Sequence, residues 1–205
     1  YHHFLFLPAM RLGIDEEYKL PDYIPTRGHL TLESKKISKS RNWYIGLKDF
    51  LKIFPSDYLR FYLVSINPYS QDDLNFNWDE FATKINSELI GNLGNLVNRA
   101  LGFTVKSFNS IVPAPEKFDD MDKESEKMIH ELASQLSVLM EENHLDRALK
   151  KILQFSAHFN QYFQHKEPWK NGAGTNSCVF LTVNAVRSLA IAIYPFLPES
   201  SQKIW

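Results

Sequence analysis

Two lysines and two hydroxyl side chains stand close together in the first quarter of the sequence. Lys36, Ser38, Lys39 and Ser40 are followed by Arg41, in a segment with few apolar residues to bury. Lysine ammonium groups act as mobile point charges and hydroxyls add neutral donors, so the segment suits a polyphosphate. It could stabilise the charge that develops on a leaving pyrophosphate. By itself the pattern also fits a solvated basic loop, because short motifs often match by chance.

A second group of chemistry-bearing residues lies further along the chain. Asn95 and Arg99 are four residues apart in a helical pattern, so their side chains project from one face. The amide and the planar guanidinium fork could together read the edge of a base in a splayed loop. Trp169 follows Pro168 in a polar loop, where its ring could stack on an unstacked base. The same residues also fit a solvated helix face and an aromatic plug at the end of a bundle.

The composition is that of a globular chain with a large aromatic content. Of the 205 residues, 44% are hydrophobic, 23% are charged and 14% are aromatic, which predicts a core built around large rings. The formal net charge is −1, so any contact with nucleic acid must come from a local patch. The single cysteine, Cys178, fits a reducing cytoplasm and excludes a cysteine-based zinc site within these residues. No uninterrupted apolar run approaches the length of a membrane span, and no metal site is expected.

The elements that must position these residues change in character along the chain. Residues 1–24 read as short elements broken by prolines, residues 28–33 as a short strand, and residues 34–42 as an exposed loop. Two short helices follow, and Ser56 is placed to cap the second one. Residues 67–77 are predicted to be a loop or short strands.

From residue 77 onward the pattern predicts a helix bundle. Asn77 and Glu80 have the spacing of a capping box, and the apolar residues after them predict a helix of roughly 25 residues or more. Three further helices are predicted at about 121–143, 145–164 and 176–194. The last is apolar on most sides and should be the buried member. Short connections between long amphipathic helices imply antiparallel neighbours.

Four segments of the chain resemble one family. Residues 30–43 resemble the Lys-Met-Ser-Lys-Ser signature region of class I aminoacyl-tRNA synthetases, and more closely that of methionyl-tRNA synthetases of the archaeal and eukaryotic type. Residues 57–62 resemble the helix that follows that region. Residues 91–99 and 160–169 resemble the two anticodon-reading elements of the same family. The resemblance covers nearly the whole chain, with its motifs in the family's order and spacing.

The resemblance implies the ATP-dependent ligation of methionine to tRNA(Met). Lys36 and Lys39 would be the catalytic residues, because they would stabilise the pyrophosphate side of the transition state. Ser38 and Ser40 would join them in binding ATP, which carries Mg²⁺ as its counter-ion. No side chain needs to act as a covalent nucleophile, so catalysis would rest on positioning and electrostatics.

The resemblance also implies binding roles for four other residues. Asn95, Arg99 and Trp169 would recognise the CAU anticodon, chiefly its first base. His3 would belong to the methionine pocket, in which Leu7 stands where the family has an aromatic residue. Taken alone, His3 fits a satisfied, partly buried histidine better than a binding residue.

Two further departures from the family pattern concern the proposed sites. Ile37 replaces the usual methionine of the signature, a change that class I enzymes often show. Gly91 occupies a position that is asparagine in some bacterial members, so a contact there is lost or is made by Asn92.

The predicted architecture is mainly α. Residues 1–34 would be a remnant of the α/β class I catalytic domain, residues 35–75 the signature loop and stem-contact region, and residues 76–205 an α-helical anticodon-binding bundle. The family's His-Ile-Gly-His motif and zinc-bearing insertion lie upstream in full enzymes. This chain alone is therefore expected to be inactive and to need the upstream catalytic half.

Three alternatives stay open at this point. The first is another class I synthetase with a related helical domain, of the cysteinyl, leucyl, isoleucyl or valyl type; the Asn95/Arg99 pair with Trp169 favours methionine. The second is a stand-alone tRNA-binding module, which would have no use for Lys36 and Lys39. The third is a scaffold within a multi-synthetase assembly, which no coiled-coil heptads support.

Overall fold

The computed structural model describes residues 2–14 and 17–205. Nine α-helices and three short strands run through these residues, joined by π-helical and 3-10 segments. In chain order the elements are a π-helical turn (His2–Phe6), α1 (Leu7–Leu12), β1 (Leu30–Leu32), β2 (Lys35–Lys36), α2 (Leu47–Ile53), α3 (Ser56–Ser65), β3 (Leu74–Phe76), α4 (Trp78–Lys84), a π-helical segment (Ile85–Gly94), α5 (Asn95–Phe108), α6 (Asp120–Glu141), α7 (Leu145–Lys166), a 3-10 turn (Pro168–Lys170), α8 (Thr175–Ile193) and α9 (Pro198–Ile204).

The long first helix of the bundle is confirmed and contains a π-helical segment between α4 and α5. The Asn77 side chain accepts a hydrogen bond from the Glu80 backbone N–H at 2.9 Å and so caps the helix. The predicted capping box is wrong in its other half, because the Glu80 carboxylate accepts from the Tyr62 hydroxyl at 3.0 Å. The helix ends at Asn109, whose φ of 50° is the left-handed conformation that stops many helices.

The bundle is built from α5, α6, α7 and α8, as the apolar periodicity predicts. The prediction that α8 is the buried member is confirmed, because it packs against each of the other three helices. By length and composition, α8 alone among the described helices could cross a membrane, and more than half of that stretch is buried inside the protein. The expectation that no apolar run approaches the length of a membrane span is therefore corrected. The apolar composition of α8 is explained by its position in the core.

A small sheet joins the first part of the chain to the start of the bundle. Its strand order is β2-β1-β3, with β1 antiparallel to β2 and parallel to β3. Leu32 on β1 and Phe76 on β3 are both buried and belong to the same core as the bundle. The sheet thus connects residues on either side of the predicted boundaries at 34/35 and 75/76, and the division into domains stays a prediction.

Aromatic rings fill the core beneath this sheet, as the composition predicts. Phe76 and Phe81 stack with ring centroids 5.7 Å apart, and Tyr62 meets both of them edge-on at 5.0 and 5.4 Å. Burial raises the pKa of the Tyr62 hydroxyl to about 12, so this group stays neutral across the physiological range.

The predicted cap of α3 is wrong. Ser56 is the first residue of the helix itself, after an N-cap at Pro55 that offers no side-chain acceptor. The Ser56 hydroxyl donates instead to the Glu199 carboxylate at 2.8 Å, and the next residue, Asp57, accepts from the Ser200 N–H at 2.7 Å. The start of α3 is therefore fixed by the distant helix α9, a partner that a local pattern cannot reveal.

Candidate functional site

The signature segment begins in a β-hairpin whose turn is tied to the start of α4. Glu33 and Ser34 have φ values of 48° and 59°, as two-residue turns with both central residues left-handed require. The Glu33 carboxylate accepts from the Asn77 amide at 2.8 Å and from the Trp78 N–H at 2.9 Å. The Ser34 N–H donates to the Asn75 side chain at 2.6 Å. These bonds hold two non-glycine residues in a strained conformation and fix the base of the loop.

Beyond the hairpin, the segment closes into a second, tighter loop. The backbones of Ser38 and Trp43 exchange two hydrogen bonds of 2.8 and 2.9 Å, and the Asn42 N–H donates to the Lys39 carbonyl at 3.1 Å. The Trp43 indole N–H donates to the Leu32 carbonyl at 2.9 Å. The predicted exposed loop at 34–42 is therefore partly ordered by strand β2 and this bridge.

The predicted phosphate-binding side chains lie on this loop and face solvent. Lys36 ends β2, whereas Lys39, Ser40 and Arg41 are exposed at the tip, and the Ser38 and Ser40 hydroxyls are 3.1 Å apart. No ion pair within residues 2–14 and 17–205 involves Lys36, Lys39 or Arg41. Cations without an internal carboxylate partner are available to an external anion such as a polyphosphate.

Ile37 anchors the same loop from below. It contributes to the wall of an apolar cavity of about 140 Å³, and 38% of its surface remains exposed. The other walls come from the sheet and from α2 and α3, and they include Leu30, Phe50 and Leu63. An unbranched methionine could fill this cavity as well, so the Ile37 departure keeps the apolar character of the anchor.

The two helical residues of the predicted anticodon site lie at the start of α5, opposite α7. The Asn95 amide donates to Asn160 Oδ1 at 2.9 Å, and the Arg99 guanidinium donates to Gln164 Oε1 at 2.7 Å. Both pairs are 65 residues apart in sequence. From one pair to the next, the sequence advances by four residues on both helices. This is expected when α5 and α7 run parallel and in contact.

Trp169 completes the group, since the fold brings it beside Arg99. The Arg99 guanidinium carbon is 5.1 Å from the centroid of the Phe163 ring and 6.0 Å from that of Trp169. Pro168 is buried, whereas Trp169 is 42% exposed. The cation is held against two aromatic rings, and one of them belongs to an exposed residue.

Sequence reasoning placed Asn160, Phe163 and Gln164 in a segment that resembles an anticodon-reading element, but it gave none of the three a role of its own. Asn160 and Gln164 share the four-residue spacing of Asn95 and Arg99. That repeated spacing is the signal that could have found them, although the residue types alone do not reveal which faces of α5 and α7 meet.

A buried ionic network fixes the end of α7 from which the Trp169 turn leaves. Lys166 Nζ is 2.6 Å from Asp119 Oδ2 and 2.6 Å from Asp122 Oδ1. The Tyr162 hydroxyl donates to the same Asp122 oxygen at 2.7 Å. Burial raises the pKa of the Tyr162 hydroxyl, and the Lys166 hydrogen bond lowers the pKa of Asp119. The network ties α6 to α7 immediately before Trp169.

The π-helical segment accounts for Gly91, one of the departures from the family pattern in the segment that resembles the first anticodon element. A Cβ on Gly91 would lie 2.9 Å from the Asn86 carbonyl oxygen. Asn92 turns into the bundle, where its amide donates to the Leu153 carbonyl at 2.9 Å and its oxygens accept from Asn160. Asn92 therefore supports the site from behind, and its side chain is not free to face a base.

His3 lies apart from these groups. It is exposed on the π-helical turn, not partly buried as the lone-residue interpretation favours, and no residue of that turn or of α1 is buried. Its role in a methionine pocket stays a prediction. Cys178 is buried and unpaired, and no group of three potential metal-binding His, Cys, Asp or Glu residues occurs within 2–14 and 17–205.

Comparison with known proteins agrees with this geometry. A family model described as class I tRNA synthetases (M) matches residues 1–101. The methionine–tRNA ligases of Pyrococcus horikoshii and Pyrococcus furiosus are 39% and 40% identical over 99% of this chain. Mycobacterium tuberculosis methionyl-tRNA synthetase in complex with methionyl-adenylate has a TM-score of 0.87 at 27% identity, covering 98% of this chain and 41% of that one.

The fold and these matches together define a segment of a class I aminoacyl-tRNA synthetase, and the chain belongs to that family. Within the family, it is a homologue of the methionyl-tRNA synthetases. It spans 30% of the length of the two Pyrococcus relatives. The mainly α architecture with a small sheet is the fold of the corresponding part of the Mycobacterium enzyme.

Proposed function

We propose that this chain is the part of a methionine–tRNA ligase that carries the signature loop and reads the anticodon. The complete enzyme would use ATP, with Mg²⁺ as its counter-ion, to form methionyl adenylate and then methionyl-tRNA(Met). The upstream catalytic half would supply the remaining nucleotide-binding residues and the family's zinc site. His3 would contribute to the methionine pocket at the junction with that half, and the enzyme would work in the cytoplasm.

The signature loop would act on the phosphates of ATP by electrostatics alone. Lys36 and Lys39 would stabilise negative charge as the bond between the α-phosphate and pyrophosphate breaks. Ser38 and Ser40 would add hydroxyl donors to the same oxygens. The solvent-facing position of both ammonium groups and their lack of carboxylate partners among the described residues support this role.

Recognition of the CAU anticodon would fall to Asn95, Arg99 and Trp169. The observation that carries the proposal is their convergence: Asn95 and Arg99 share a face of α5, and the Arg99 guanidinium carbon lies 6.0 Å from the centroid of the Trp169 ring. Arg99 also lines an open depression together with Gln161 and His165. Trp169 would stack on an unstacked base, and Asn95 and Arg99 would contact base edges.

These observations favour methionine–tRNA ligation over the alternative functions. The two Pyrococcus relatives that cover this chain are methionine–tRNA ligases, which favours methionine over the cysteinyl, leucyl, isoleucyl and valyl types. A stand-alone tRNA-binding module would not need the exposed Lys36 and Lys39. No feature of the described helices favours a scaffold role.

The test is a titration of the 205-residue chain with anticodon stem-loops carrying CAU or GAU. Salt is held fixed, because phosphate contacts give sequence-blind affinity. The wild-type chain should bind CAU more tightly, and Trp169→Ala should weaken binding by about 1–3 kcal/mol and remove much of the preference. Trp205→Ala is the matched control, since this tryptophan is also exposed but lies at the end of α9. Equal binding of both loops by the wild-type chain would refute anticodon reading.

A further inference from the structure

The orientation of one amide in the anticodon site follows from backbone groups alone. Asn160 Nδ2 is 2.9 Å from the Asn92 carbonyl and 3.2 Å from the Ser156 carbonyl. Backbone carbonyls can only accept hydrogen bonds, so the NH2 group of Asn160 must face them. The Leu153 carbonyl orients Asn92 in the same way and turns its Oδ1 toward Asn160. Asn160 Oδ1 is therefore left to face Asn95.

This fixed oxygen determines which end of the Asn95 amide is presented to a ligand. Asn95 Nδ2 must donate to Asn160 Oδ1, at 2.9 Å, because two oxygens in that position would repel each other. Asn95 Oδ1 then lies on the opposite side of the amide. It has no hydrogen-bond partner among the described residues, and it is not one of the buried unsatisfied atoms. The site thus offers an acceptor at this position.

Arg99 offers donors one helical turn away. One of its terminal nitrogens donates to Gln164 Oε1, whereas Nε and Nη1 have no hydrogen-bond partner within the part of the chain that the structure describes. The rings of Phe163 and Trp169 limit where the guanidinium can move. The acceptor on Asn95 and the donors on Arg99 are complementary to a base edge that carries an amine next to a ring nitrogen and a keto oxygen. The amine donates a hydrogen bond, and the ring nitrogen and the keto oxygen accept.

We propose that Asn160 is a positioning residue that fixes the Asn95 amide with its oxygen outward, so that the site selects an amino pyrimidine over a keto pyrimidine. The cytosine amine would donate to Asn95 Oδ1, and cytosine N3 and O2 would accept from Arg99. Uracil would place a keto oxygen against Asn95 Oδ1, and two acceptors in contact lose affinity. The inference rests on the proposed reading of the anticodon at this site, and it adds the device that determines the choice of base.

The test measures how each variant changes the ratio of affinities between stem-loops, rather than any single affinity. Three stem-loops differ only at the first anticodon base, which is cytosine, uracil or 2-pyrimidinone, a cytosine analogue that lacks the amine. Each is titrated against the wild-type chain, Asn160→Ala and Gln154→Ala at fixed salt. Gln154 is the matched control, because it is an exposed residue of the same helix α7 and lies outside the depression that Arg99 and Asn160 line.

The wild-type chain should bind the cytosine loop about tenfold or more tightly than either other loop, the range expected of a good base-edge contact. In Asn160→Ala the Asn95 amide is free to rotate, so both ratios should fall toward one. Gln154→Ala should keep the wild-type ratios. A variant that merely loosened the bundle would weaken all three loops alike and leave the ratios unchanged.

Two different failures are distinguishable. If the wild-type chain does not distinguish the three loops, the proposed anticodon reading fails and the inference falls with it. If the wild-type chain distinguishes them and folded Asn160→Ala keeps the ratios, only the role of Asn160 is overturned. A second measurement does not depend on the variant: NMR should show the Asn95 side-chain amide protons bonded to Asn160 both before and after the cytosine loop binds. Release of that bond on binding would overturn the proposal.

Discussion

Replacing Lys166 by methionine tests whether a buried charge network holds the end of α7. The methionine keeps the unbranched apolar stem and removes the ammonium group. In the native protein that group lies 2.6 Å from both Asp119 and Asp122, and only 11% of the Lys166 side chain is exposed. Asp122 has 1% of its surface exposed, so the substitution leaves a carboxylate without its cation in the core.

The expected loss of stability is about 3 kcal/mol. Breaking a buried ion pair by removing one partner generally costs about 3–5 kcal/mol. The lower end applies here, because Asp122 keeps hydrogen bonds from the Tyr162 hydroxyl at 2.7 Å and from the Asp119 N–H at 3.0 Å. Asp119 adds little, since 61% of its side chain is exposed and water can solvate it.

Urea unfolding at neutral pH, followed by circular dichroism, measures this difference. Lys123→Met is the matched control: it also removes a lysine from an aspartate, Asp120, at 2.9 Å, but that aspartate side chain is fully exposed. The control should leave the free energy of unfolding nearly unchanged, because water screens an exposed ion pair. Equal losses in the two variants would refute the assignment of a buried, stabilising network to Lys166.

The pH dependence provides an independent check. Burial lowers the pKa of Lys166, but its hydrogen bonds to Asp119 and Asp122 outweigh this and raise the pKa above the ordinary 10.5. That stabilisation is fully present below pH 10.5 and is lost as the pH rises through the folded-state pKa. The hydrogen bond from Lys166 lowers the pKa of Asp119 below 3.8, so its contribution is present above that pH and is lost in stronger acid. The stability gap between wild type and Lys166→Met should therefore close at both extremes.

Two glycine substitutions and one cysteine-labelling experiment test other parts of the fold. Gly91→Ala should lower the free energy of unfolding by about 1–2 kcal/mol, because its Cβ would meet the Asn86 carbonyl at 2.9 Å. A Cβ on Gly102, in the same long helix, would have no heavy atom within 4 Å, so Gly102→Ala should instead stabilise the protein by up to about 1 kcal/mol. Urea unfolding measures both variants, and a change of the same sign in the two free energies of unfolding would contradict this. Cys178 should resist Ellman's reagent in the native protein and react once urea unfolds it, because burial raises the pKa of its thiol to about 12; rapid native labelling would contradict this.

The helices of the bundle and the basic loop could be predicted from the sequence, because both depend on residues near one another in the chain. Apolar residues three and four apart mark a helix face without reference to any partner, so the four long helices were found close to their observed bounds. The single cysteine and the near-zero net charge likewise follow from composition alone. The family resemblance was readable for the same reason, since each of its motifs is a short continuous segment.

Only the tertiary structure decided which of these local features meet. Ser56 bonds to α9 and not to its own helix, and Glu33 stabilises the start of α4. Asn160 and Gln164 face Asn95 and Arg99 across 65 residues of sequence. Hydrophobic periodicity fixes which face of a helix is buried. The partner of each polar side chain depends on how the buried faces pack against one another, and that packing is a property of the whole fold.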